Sequence, residues 1–195
     1  MKILSSDLLK DAFNLPNSLS LFRLLLAIPF FFLLQNLDEG EYVRYILLSL
    51  IFVAFISDIL DGYFARKKNI ITEFGKVIDP LADKTLVILI VTQLYIQGYI
   101  VDIYFWTIVL RDLIILIGGI YITKKIDRVL PSNIVGKMTV LSIGIFIIII
   151  ILDGSPGNFI YSFLFYLSMI LSVVSVVTYT FRGIEILRWK KNEVI

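Results

Sequence analysis

Four aspartates fall within the 26 residues from Asp58 to Asp83, inside or beside strongly apolar stretches. Each charged side chain at the centre of a bilayer costs about 2.5–3.5 kcal/mol, so four uncompensated carboxylates would cost on the order of 10 kcal/mol. A bound divalent metal is the expected compensator. Asp58 and Asp61 are three residues apart and share a helix face, on which Gly62 and Ala65 also fall. Asp79 and Asp83 are four apart and share another, with Gly75 one turn earlier. Two facing helices of this kind present oxygen-only ligands, which suit hard cations such as Mg2+ or Mn2+. Paired carboxylates can hold two ions about 3.5–4 Å apart, the arrangement that stabilises attacking and leaving oxygens in phosphoryl displacement. Arg66 could meet a phosphate with its planar fork. Ordinary helix-end ion pairs with Arg66, Lys76 and Lys84 explain four acids on two matched faces poorly.

The elements that must position these groups are membrane spans. The chain has 195 residues, 58% hydrophobic and 17% charged, with a mean hydropathy of +0.91. Several stretches reach the roughly 20 apolar residues needed to cross hydrocarbon. Six helical spans are expected, at 17–34, 42–65, 75–97, 103–122, 134–152 and 159–181, in one domain covering residues 1–195. Ile3, Leu4, Leu8, Leu9, Ala12 and Phe13 recur at helical spacing, which predicts an N-terminal amphipathic helix on the membrane surface. The fold class is therefore all-α, polytopic, with six transmembrane helices and one interfacial helix. Basic residues gather in the N-terminal segment, after spans two and four, and in the tail, whereas the opposite loops hold Asp38, Glu39, Glu41, Asp102 and Asp153. Both termini are thus expected in the cytoplasm. By helix rise, Asp58 and Asp83 would lie about 12 Å inside the cytoplasmic boundary. With no cysteine and no histidine, thiolate chemistry and imidazole bases are excluded.

The run Asp58-x-x-Asp61-Gly62-x-x-Ala65-Arg66, eight residues, then Gly75-x-x-x-Asp79-x-x-x-Asp83 resembles the complete signature of the CDP-alcohol phosphatidyltransferases. The resemblance implies transfer of a phosphatidyl group from CDP-diacylglycerol to an alcohol acceptor, with release of CMP. It implies that Asp58, Asp61, Asp79 and Asp83 hold two Mg2+ or Mn2+ ions and that Asp83 serves as general base. Gly62, Ala65, Arg66 and Gly75, with Asp61, would line the CDP pocket. Residues 14–23 resemble the Pro-Asn-x-Leu-Thr-x-x-Arg segment of the same family, with Ser20 at the threonine position. That adds Asn17 and Ser20 to the nucleotide contacts, although Asn17 also reads as a simple helix cap. Arg23 reads equally as a phosphate ligand or a structural cation. The resemblance further implies a homodimer in the bacterial inner membrane, a cytoplasmic active site, membrane lipids as surroundings and no nucleic-acid partner.

The acceptor is open at this point. Arg111 and Asp112 lie deep in span four; neighbours on a helix point apart, so Arg111 is expected to face the substrate cavity instead of neutralising Asp112. Gly136-Lys137-Met138-Thr139 resembles a stretch of the phosphatidylglycerophosphate synthases, so Arg111 and Lys137 are the expected acceptor-binding residues. Eight residues after Arg111, where that branch carries a second arginine, stands Gly119. The missing cation and the Arg-Asp pair make a cardiolipin synthase, with phosphatidylglycerol as acceptor, about as good a match. Gly118 and Gly119 are expected to permit close helix packing. Among other classes, a cation transporter built on the aspartates lacks acids leading through the other membrane half. Membrane prenyltransferases carry their acidic motifs on well-separated helices.

Overall fold

Backbone amides in hydrocarbon must be satisfied within their own segment, which restricts spanning chains to helices and closed barrels. The computed structural model takes the first route. It describes residues 15–68, 75–126, 133–152, 154 and 156–193, and among these there is no strand. The helices are α1 (Leu15–Leu25), α2 (Ala27–Gln35), a 3-10 turn (Leu37–Glu39), α3 (Glu41–Lys68), α4 (Gly75–Ile96), α5 (Asp102–Ile126), α6 (Ile134–Ile151) and α7 (Phe159–Glu193). Five stretches of the described residues are long and apolar enough to cross a membrane: Asn17–Gln35, Glu41–Phe64, Asp102–Ile122, Ile134–Ile151 and Phe159–Arg188. The protein is an all-α polytopic membrane protein. The remaining expected span coincides with α4, whose 22 residues extend about 33 Å; its described apolar portion is Lys84–Ile96. The predicted surface helix, residues 1–14, lies outside the described residues.

The first span runs from Asn17 to Gln35, close to expectation. Pro29 has no N–H to offer the Leu25 carbonyl, but the Leu26 and Phe30 amides bond Phe22 and Leu26 and carry the helix through. One boundary differs from expectation. The last helix continues twelve residues past position 181, to Glu193. Gly183 does not end it, because α5 packs against that glycine: a Cβ there would fall 2.4 Å from Ile122 Cδ1.

The described residues form two compact units, divided between Gly98 and Tyr99. In the first, α1 packs against both α3 and α4, and α2 follows it against the same pair. Phe30, Leu34, Leu37, Val43, Leu47, Val91 and Leu94 form its dry core. Two polar bonds tie the helices: Ser57 Oγ donates to the Leu19 carbonyl at 3.2 Å, and Gln97 Nε2 donates to the Leu34 carbonyl at 2.6 Å.

In the second unit, α7 packs against α5 and α6. The bonds give the register. Tyr104 Oη and Ser168 Oγ are 2.9 Å apart, and Arg111 Nε donates to Ser175 Oγ at 3.2 Å, so α5 and α7 run parallel. Thr139 Oγ1 donates to the Leu171 carbonyl at 3.0 Å, and Asn133 Nδ2 to Thr178 Oγ1 at 3.0 Å, so α6 runs antiparallel to α7. Ser168, Ser172 and Ser175 recur at helical spacing and are buried, a polar seam along one face of α7. Above it Tyr104, Phe146, Tyr161 and Phe165 stack with centroids from 4.8 to 6.5 Å apart. Of the two adjacent glycines, Gly119 meets a neighbour, the Tyr179 hydroxyl at 3.1 Å from a notional Cβ, while Gly118 faces open space.

Candidate active site

The site starts on α1. Asn17, Ser20 and Arg23 follow one another at intervals of three and so lie along one face of the helix. All three are almost completely buried, at 2%, 0% and 3% exposure. Asn17 is the third residue of α1, inside the helix, which removes the reading of it as a cap. Helix propensity alone would not place such residues here; the packing of α1 against α3 and α4 does.

Arg23 explains why its face is polar. Its Nη1 lies 3.0 Å from Asp58 Oδ1, an ion pair with one dry partner and one wet one, the side chains being 3% and 52% exposed. Asp58 is therefore paired on one side while about half of its side chain stays exposed. The neighbouring Ser57 fastens the same turn of α3 to α1 through its bond to Leu19.

The remaining aspartates are placed by backbone only. Asp58, Asp61, Gly62, Ala65 and Arg66 belong to the uninterrupted helix α3, and Gly75, Asp79 and Asp83 to the uninterrupted helix α4. The spacing of three and four therefore does put each pair on one helix face. The side chains of Asp61, Ala65, Arg66, Gly75, Asp79 and Asp83 lie outside the described residues. Among the described residues no group of three potential metal ligands assembles. The described carboxylate, Asp58, offers an exposed oxygen-only donor on a fixed helix, which fits a hard divalent cation.

In the second unit the structure corrects an expectation. Arg111 does neutralise its neighbour: Nη1 lies 2.5 Å from Asp112 Oδ1, with both side chains 9% exposed. Adjacent Cβ vectors diverge, but the arginine stem is long enough to curl back, and in a dry setting the nearest carboxylate is worth the rotamer. Arg111 Nε donates to Ser175. Its third nitrogen, Nη2, is directed at the first turn of α6, where a Cβ on Gly136 would come within 4.0 Å of it. That turn is capped by Asn133, whose Oδ1 accepts from the Gly136 N–H at 2.6 Å. Lys137 is the next residue and is exposed. Ser57 and Ser175 are the polar partners that sequence reasoning left out; for Ser175 the visible signal was a serine every three or four residues, at 168, 172 and 175, in apolar sequence.

Residues 13–179 match the CDP-alcohol phosphatidyltransferase family. The chain belongs to this family. Among its relatives, the CDP-diacylglycerol–glycerol-3-phosphate 3-phosphatidyltransferase of Aquifex aeolicus is 36% identical over 183 residues, covering 89% of this chain and 98% of the relative. Proteins of the same name from Rickettsia bellii and Mycoplasma pneumoniae are each 34% identical. The first match covers 74% of this chain and 78% of the relative; the second covers 64% and 61%. As a CDP-alcohol phosphatidyltransferase, the protein is an enzyme of phospholipid synthesis, and its matched region takes in every motif residue from Asn17 to Lys137. The cation-transporter reading falls away.

Proposed function

We propose that this enzyme transfers a phosphatidyl group from CDP-diacylglycerol to glycerol 3-phosphate, releasing CMP and forming phosphatidylglycerophosphate. The similarity to the Aquifex aeolicus enzyme carries the proposal, because it extends over nearly the whole length of that protein. It favours glycerol 3-phosphate over phosphatidylglycerol as acceptor, a choice that the Arg-Asp pair and Gly119 left balanced.

In the proposed reaction, Asp83 takes the proton from the acceptor hydroxyl. The acceptor oxygen attacks the phosphorus that bears diacylglycerol, and the bond from that phosphorus to the cytidylate oxygen breaks, so that CMP leaves. Asp58, Asp61, Asp79 and Asp83 would hold two Mg2+ or Mn2+ ions, which when bound stabilise charge on the attacking and leaving oxygens. Asn17, Ser20, Gly62, Ala65, Arg66 and Gly75 would seat the cytidine diphosphate; the small residues leave room for close approach. Arg111 Nη2 and Lys137 would meet the acceptor phosphate. Their support is the guanidinium directed at the capped first turn of α6, a position that favours an anion. Tyr179 over Gly119 leaves that position without a cation, so Lys137 would supply the second positive charge.

The positive-inside bias supports a cytoplasmic active site in a bacterial inner membrane, with six spans. A single catalytic domain over residues 1–195 and a homodimer, formed through apolar helix faces, complete the proposal. The test is CMP release by the purified protein. It should require CDP-diacylglycerol, glycerol 3-phosphate and Mg2+ together, stop with EDTA and return with excess Mg2+ or Mn2+. Turnover that withstands chelation would overturn the metal mechanism.

A further inference from the structure

We propose that Arg23 is a positioning residue for the metal-binding carboxylate Asp58, an inference that rests on the proposed metal role of the aspartates. Three observations carry it. The Arg23 side chain is 3% exposed, so its guanidinium has one environment and little rotamer freedom, whereas Asp58 at 52% remains open to a ligand. Nη1 lies 3.0 Å from one carboxylate oxygen, Oδ1, an ion pair held by charge and distance without hydrogen-bond alignment. The adjoining Ser57 bonds the Leu19 carbonyl, one turn before Arg23 on the same helix, so α1 fixes both the backbone and the side chain of this turn of α3.

An arginine in an apolar span is costly unless it answers a charge. Here the charge it answers is one that a metal must also share. A carboxylate drawn toward a buried cation through one oxygen samples fewer orientations, so the ion that binds it has less side-chain freedom to order. Groups that hold a metal ligand in this way change metal affinity about 10–100-fold when removed. A purely structural arginine would change the stability of the unit and leave metal affinity in the folded protein alone.

The experiment is Mn2+ binding to the full chain in detergent, read from the EPR signal of free Mn2+, alongside the thermal midpoint. Arg23→Ala should weaken Mn2+ binding roughly 10–100-fold. Unchanged Mn2+ affinity in folded Arg23→Ala, with only a lowered midpoint, would overturn the positioning role. If Arg23→Ala does not fold, Arg23→Gln decides in the same titration: it keeps the bulk and a donor but loses the charge, and unaltered affinity would overturn the proposal. The two layers separate cleanly. Wild-type protein that binds no Mn2+ would sink the metal assignment itself, whereas tight wild-type binding equalled by the variants would sink only the role of Arg23.

Discussion

Among the described residues, two arginine–aspartate pairs lie in apolar helices, and they are built differently. Arg23–Asp58 joins two helices and is half wet, with the arginine 3% and the aspartate 52% exposed. Arg111–Asp112 joins neighbours on one helix and is dry on both sides, each side chain being 9% exposed. A closed pair leaves its carboxylate little capacity for a ligand, and its value is fixing the arginine. An open pair does the reverse: the arginine is spent on fixing the carboxylate. In unit one the free ligand is thus an acid suited to a cation. In unit two the proposed ligand is the Arg111 guanidinium, whose Nη2 lies beside the first turn of α6 and would suit an anion. Metal ions and a phosphorylated acceptor are the two kinds of ligand the proposed reaction requires.

Breaking the acid side should have the largest effect. Asp61→Asn or Asp79→Asn is expected to reduce CMP release to below about 1% of wild type while leaving the thermal midpoint nearly unchanged, because one ligand of the metal set is lost. Near-normal activity in either variant would remove these aspartates from the site. Next comes the closed pair. Arg111→Ala breaks a buried ion pair and should cost about 3–5 kcal/mol of stability. Adding Asp112→Asn should restore much of that stability and leave the acceptor KM raised more than the donor KM. A donor KM that rises more would move Arg111 to the nucleotide side.

Smaller changes sharpen the contrast. Gly136→Ala puts a Cβ 2.9 Å from the Asn133 Oδ1 that caps α6. Displacing the cap should cost about 1 kcal/mol and raise the acceptor KM; a change in stability alone would detach the α6 turn from acceptor recognition. Ser175→Ala removes one bond to Arg111 and should cost about 0.6 kcal/mol in detergent unfolding, the average for such bonds in membranes. A cost several times larger would mean that the serine seam, more than the ion pair, holds Arg111.

Much of this was legible in the residues. Long apolar runs announced the helices, and the motif from Asp58 to Asp83 announced the family, because both are written in local sequence. The expected start of the fifth span at position 134 matches the start of α6 for the same reason. What depends on distant partners was not legible. Nothing local says that Arg23 will find Asp58 thirty-five residues away, or that Ser175 will support Arg111 across two helices. The Arg111–Asp112 bond was misjudged by treating side chains as rigid vectors, when a long arginine in a dry space bends to the nearest acid.

The central claim is a metal-dependent transfer to glycerol 3-phosphate, and the most direct test is product identity. Purified protein would be incubated with CDP-diacylglycerol and Mg2+ in parallel reactions, one with glycerol 3-phosphate and one with phosphatidylglycerol, and the lipids read by mass spectrometry. Phosphatidylglycerophosphate in the first reaction, with no cardiolipin in the second, is the predicted result. Cardiolipin in the second, with no new lipid in the first, would contradict it and make phosphatidylglycerol the acceptor.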